Sequence, residues 1–140
     1  MTVTSGFGQY LENACLNWFR GTTFPATVGD VYLALFTTAP VNGVIAGSTE
    51  VSGSSYARVA IVPNTTNFGA PSGAAPASAV SGANFVFPTP SGSWGTVVGW
   101  GLFDASSAGN FLAYGAFTGV AVGTGDTVEF LSGNLTLSVS

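Results

Sequence analysis

Acid–base or metal chemistry in this chain would have to run on six carboxylates, those of Glu12, Asp30, Glu50, Asp104, Asp126 and Glu129, because the sequence holds no histidine. Histidine is the usual general base near neutral pH and the commonest metal ligand, so its absence removes most hydrolase designs. Paired carboxylates can still move protons or hold calcium. Only Asp126 and Glu129 are close in sequence, however, and three residues apart on a strand they would face opposite sides. Asp126 beside Gly125 reads as turn chemistry instead. Cys15 is the single cysteine, which permits neither an intrachain disulfide nor a multi-thiolate zinc site. It is expected as a buried apolar thiol on a helix. Gly123-Thr124-Gly125 is a fragment of a phosphate cradle that lacks the remaining glycines, the lysine and a following helix. No catalytic, metal-ligating or cofactor-binding residue is assigned, and no cofactor is expected.

The two remaining charged residues are Arg20 and Arg58, so charge amounts to 6% of the chain against roughly 25% in ordinary globular proteins. A net charge of −4 cannot track a phosphate backbone, where each neutralised phosphate needs a cation. Nucleic acid is therefore not an expected partner. Neither is a membrane: Gly, Ser, Thr and Asn interrupt every apolar run well short of the ~20 residues of a spanning helix. Residues Met1 to Tyr10 carry no basic residue and lead into no apolar run, so no secretion signal is read there. With 46% hydrophobic residues and 11 Phe, 4 Tyr and 3 Trp, the chain is too rich in large apolar groups to stay unfolded. So few charges leave much apolar surface, and neighbours are expected to cover it.

Arg58 lies in an apolar stretch and needs a definite partner, because an unpaired guanidinium is costly to bury. Glu50 is the candidate, giving an expected Glu50–Arg58 ion pair either within one subunit or across two. Trp94 and Trp100, among Gly95, Gly99 and Gly101, bring indoles to closely approaching backbone. Core packing is the first reading for them, with a subunit interface or a carbohydrate-stacking platform second. The sequons Asn64-Thr65-Thr66 and Asn134-Leu135-Thr136 read as ordinary loop or strand residues.

The elements that must carry these residues are one helix and many short strands. Phe7, Tyr10, Leu11, Ala14, Cys15 and Trp18 fall on one helical face, predicting an amphipathic helix over Ser5 to Phe19, with Arg20 in its last turn. Thr4 or Ser5 would cap its start, and Gly21 would stop it. Its aromatic load packs either on its own sheet or into a neighbouring subunit. About eight strands follow: Val31 to Thr37, Tyr56 to Val62, Ala83 to Phe87, Thr96 to Phe103, Asn110 to Phe117, Gly119 to Val122, Thr127 to Leu131 and Leu135 to Val139. Leu135, Leu137 and Val139 alternate with Thr136 and Ser138, so one face should meet a core. Pro63 to Gly82, whose only aromatic is Phe68, reads as a long loop or arm that adds little core and could lie on the next subunit. The expected fold is mainly all-β: a jelly-roll-like antiparallel β-sandwich with one N-terminal helix, in a single domain spanning residues 1–140.

A family resemblance runs along nearly the whole chain. It is carried by Tyr10-Leu11-Glu12-Asn13, Phe19-Arg20-Gly21-Thr22, the run from Val31 to Pro40, and Thr49-Glu50-Val51-Ser52-Gly53 with Tyr56-Ala57-Arg58. It continues through Trp94-Gly95-Thr96-Val97, Trp100-Gly101-Leu102-Phe103-Asp104-Ala105, Gly109-Asn110, Tyr114-Gly115-Ala116 and Gly125-Asp126-Thr127. In this order the motifs resemble small tailed-phage virion proteins, often labelled tail fibre proteins, and are similar to capsid decoration or cement subunits. The stretch Pro63 to Gly82 departs from the family in being longer and richer in Ala and Pro. The resemblance implies a virion location and a compact β-fold, with synthesis in the host cytoplasm.

Two structural roles and one enzymatic role follow as expectations. The first is a decoration subunit on the capsid surface, a homotrimer binding and stabilising the major capsid protein lattice. The second is a tail fibre or baseplate receptor-binding module that meets host glycan. The third, a glycan hydrolase, would need two carboxylates about 5 to 10 Å apart in a groove, and a non-enzymatic role is expected over it. Candidate subunit-interface residues are Phe7, Tyr10, Trp18, Phe19, Arg58, Phe68, Trp94 and Trp100.

Overall fold

The apolar run Val31-Tyr32-Leu33-Ala34-Leu35-Phe36 becomes the middle of the structure because both faces of its strand are covered. The computed structural model describes residues 5–26 and 29–139. Its elements run β1 (Ser5–Phe7), α1 (Gln9–Phe19), β2 (Val31–Thr38), β3 (Thr49–Glu50), β4 (Val59–Ile61), β5 (Ala77–Val80), β6 (Phe85–Val86), β7 (Gly95–Phe103), β8 (Phe111–Val122), β9 (Glu129–Phe130) and β10 (Thr136–Val139). One six-stranded sheet has the order β1-β8-β7-β2-β3, with β4 also pairing β2. Two ribbons, β10 with β5 and β6 with β9, complete an entirely antiparallel set.

Side-chain alternation along β2 sorts its residues between two clusters. Val31, Leu33 and Leu35 join Trp100, Leu102 and the ribbon residue Phe85 in the main core, with Phe130 and Leu137 packed against it. Ala34 and Phe36 join Phe103 and Phe111 in a second cluster, flanked by Tyr32 and Tyr114. The arrangement is the mainly β, sandwich-like fold with one helix that the sequence implies. It departs from a jelly roll in that two short ribbons, rather than a second full sheet, cover the main core.

Several boundaries differ from expectation for local reasons. The stretches Asn110 to Phe117 and Gly119 to Val122 form the single strand β8, which absorbs its irregularity as a register shift against β7 between Val97 and Gly99. Only Val59–Ile61 of Tyr56 to Val62 pairs as a strand, since Gly53, Ser54 and Ser55 take positive φ and turn the chain just before it. Strands β1, β3 and β5 carry no alternating apolar pattern and exist only through their partners.

The helix starts later than Ser5. Ser5 and Phe7 belong to β1, Thr4 lies outside the described residues, and Gly8 is the N-cap without any side-chain hydrogen bond. Backbone contacts hold that end instead: Gly8 N–H donates to Leu112 O at 2.7 Å and Gln9 N–H to Gly43 O at 2.9 Å. The Pro63 to Gly82 segment also differs from a free arm. Asn64 Oδ1 accepts from the amides of Thr66 and Asn67, and the chain then doubles back through Gly69 N–H to Val80 O and Ser72 N–H to Ser78 O. Its β5 pairs with β10, Phe68 packs on the main core, and Ser81 is buried.

Candidate functional site

Arg58 is placed by the turn at 53–55 and by β4 immediately after it, so its guanidinium lies between β3 and the β7–β8 connection. Nε donates to Glu50 Oε1 at 2.8 Å and Nη2 to Glu50 Oε2 at 2.7 Å, a bidentate ion pair within one chain. Nη1 donates to the carbonyls of Ala105 and Ala108, each at 2.9 Å, and the guanidinium carbon stands 3.7 Å from the centre of the Phe103 ring. The Arg58 side chain is only 7% exposed. Fork-shaped donors that match a carboxylate and carbonyls at once are what arginine provides and lysine does not.

Tyr56 extends this network inward. Its hydroxyl donates to Glu50 Oε1 and accepts from the Leu35 amide, both at 3.0 Å. Burial, reinforced by the Glu50 carboxylate, holds the Tyr56 phenol well above the usual tyrosine range, while the Leu35 amide and Arg58 pull the other way. The loop gripped by Arg58 is also closed from within. Asp104 Oδ1 accepts from the Asn110 amide at 2.6 Å and Oδ2 from Asn110 Nδ2 at 2.7 Å. The arrangement is a clamp that fixes the 104–110 loop onto β3 and β4.

The other candidate interface residues divide by burial. Trp94 and Trp100 are buried in the main core, so neither offers a surface to a neighbour or a stacking platform to a sugar. Trp94 Nε1 donates to Ser54 O at 3.1 Å, and Trp100 lies across Gly115, where a Cβ would overlap its indole. Phe68 is partly buried and tilted against Phe85 at 6.0 Å. Phe7 is half-buried in β1, and Cys15 is half-buried rather than buried.

Trp18 and Phe19 are different. The helical face expected to pack does so through Ala14 and Leu11, and the end of α1 projects. Trp18 is 59% and Phe19 79% exposed, with their rings edge to face at 5.1 Å. Tyr10, Leu16 and Phe24 are exposed as well. Arg20, next in sequence, donates from Nη1 to Asn17 Oδ1 at 3.1 Å.

A second feature that the sequence did not reveal is an apolar groove of about 300 Å³ lined by Val97, Phe117, Val120, Val128 and Phe130, with Asp126 and Glu129 among its walls. Asp126 sits in a turn rather than on a strand, its Oδ2 accepting from the Gly123 amide at 2.7 Å. The groove lies between β8 and the 126–130 segment that follows it, with Val97 of β7 in its lining, and the meeting of that segment with β7 leaves no local pattern. Among the described residues, no three His, Cys, Asp or Glu side chains gather as a metal site, and no helix is long and apolar enough to cross a membrane.

Comparison with curated proteins gives no match. A family model described as Podophage GP4 fiber I protein gp80 matches residues 6–138, which takes in the helix, the arginine clamp and the groove. The chain thus belongs to the Podophage GP4 fiber I protein gp80 family, a family of phage structural, fibre-type proteins.

Proposed function

We propose that this protein is a structural subunit of a fibre on the tail of a podophage, acting through its surfaces as a homo-oligomer, with three copies as the working stoichiometry. The family match across residues 6–138 carries the reading, since the family is described as a fibre protein. Two physical features support it. Three of the eight charged residues are spent on internal architecture: Glu50 and Arg58 on the clamp, Asp104 on its loop. Large apolar side chains meanwhile stand in solvent at the end of α1, which a freely diffusing monomer avoids. Partners are accordingly other copies of the chain and other virion proteins.

Locating the protein on intact particles tests this directly. Gold-labelled antibody on the tail, together with a few to a few tens of copies per particle by quantitative mass spectrometry, is the expected result. Labelling over the whole head with hundreds of copies would overturn it in favour of a decoration subunit bound to the major capsid protein.

A further inference from the structure

We infer that the Trp18–Phe19 pair of one copy docks into the groove between β8 and the 126–130 segment of a second copy, with Arg20 meeting the carboxylates of Asp126 and Glu129. The inference rests on the reading that the chain works as an assembled structural subunit, and it names the surfaces that assemble.

The two halves of this contact complement each other in shape and charge. The knob is an edge-to-face aromatic pair standing in solvent, followed directly by one of only two cationic residues in the chain. The other cation, Arg58, is engaged by Glu50 within its own clamp. The groove has an apolar lining, including the 55% exposed Val120, and holds two of the six acidic residues in the chain. Its volume of about 300 Å³ lies at the small end of the ligand-pocket range, a scale suited to a side-chain wedge. No residue of α1 lines it, so the knob of a chain does not sit in that chain's own groove. Buried aromatic anchors with a charged rim are the usual energetic centre of protein interfaces.

Because knob and groove are different surfaces, the contact is heterologous, and successive copies close into a ring or continue as a filament. A ring of three would satisfy every knob and every groove.

Mixing two disabled full-length variants tests the geometry. Trp18→Ala/Phe19→Ala removes the knob and keeps the groove, whereas Val120→Glu spoils the groove and keeps the knob; both change exposed positions, and circular dichroism checks that each is folded. Sedimentation velocity should show wild type assembling, each variant alone dissociating at roughly thirtyfold higher concentration than wild type, and the mixture forming a 1:1 dimer that grows no further. Arg20→Glu should weaken wild-type assembly about tenfold, and Glu129→Arg in the same chain should restore it. A monomeric wild type would overturn the inference. So would a mixture that stays monomeric while wild type assembles. Particles that lack the protein would instead remove the fibre reading and leave the mixing result standing.

Discussion

Arg58 combines a two-pronged carboxylate contact, two carbonyl contacts and an aromatic face, so its truncation should cost more than a surface charge would. Arg58→Ala leaves Glu50 without its cation and frees two carbonyls, and a loss of about 3–5 kcal/mol is expected in urea unfolding, as for other pairs broken in a buried setting. Arg58→Lys keeps the charge but cannot reach carboxylate and carbonyls together, so a loss of about 1.5–3 kcal/mol is expected. Tyr56→Phe removes the hydroxyl that accepts from the Leu35 amide, and an unsatisfied buried donor costs about 1–3 kcal/mol. The raised phenol of Tyr56 also fixes a pH dependence. Above about pH 10 an unfolded tyrosine loses its proton while the folded one keeps it, so the unfolded state binds fewer protons and stability falls as pH rises. Stability tied to Tyr56 is fully present below pH 10 and declines above it. Urea melts at pH 9 and pH 11 should show a smaller alkaline loss for Tyr56→Phe than for wild type.

Strand β8 is the element on which most others depend, since it pairs β1 on one side and β7 on the other. Gly115 faces Trp100 across the β7–β8 ladder, and the indole occupies the space that a Cβ would need. Trp100 is buried and has no room to yield. Gly115→Ala should therefore destabilise by about 1–3 kcal/mol through overpacking, read as a lower denaturation midpoint. The helix stands at the other extreme. Ala14 is its one buried residue and its start has no side-chain cap, so α1 should open locally at lower free energy than the sheet. Hydrogen exchange should show α1 amides exchanging faster than those of β2, β7 and β8. The Ser81 region illustrates how an element can hide in polar sequence. Ser81 Oγ accepts from the amides of Gly133 and Leu135, and this tie seats the β5–β10 ribbon although residues 63–82 contain few large apolar side chains.

At the scale of the whole molecule, a chain with eight charged residues among 140 keeps little ionised surface to hold copies apart in water. Assembly that binds only folded subunits raises apparent stability with concentration by mass action. The thermal midpoint should therefore rise as protein concentration increases, by differential scanning fluorimetry, and Trp18→Ala/Phe19→Ala should flatten that dependence. A midpoint that does not move with concentration would count against assembly through these surfaces.

Sequence by itself determined the class of fold, the strands β2 and β7, and the pairing of Glu50 with Arg58 as the candidate ion pair. These rest on signals that local chemistry forces: an alternating or doubly apolar run has to be covered, and a cation in an apolar stretch has to find an anion. Only the tertiary structure decided which large aromatics are core and which are surface. Trp94, Trp100 and Trp18 are the same residue type, and what separates them is whether another strand arrives to cover the ring. Tertiary contacts likewise created β1, β3 and β5, set the helix start at Gly8 through bonds to Leu112 and Gly43, and brought Asp126 and Glu129 beside Val97. Those features depend on pairing between segments far apart along the chain, and the short-range spacing of residues carries no record of it.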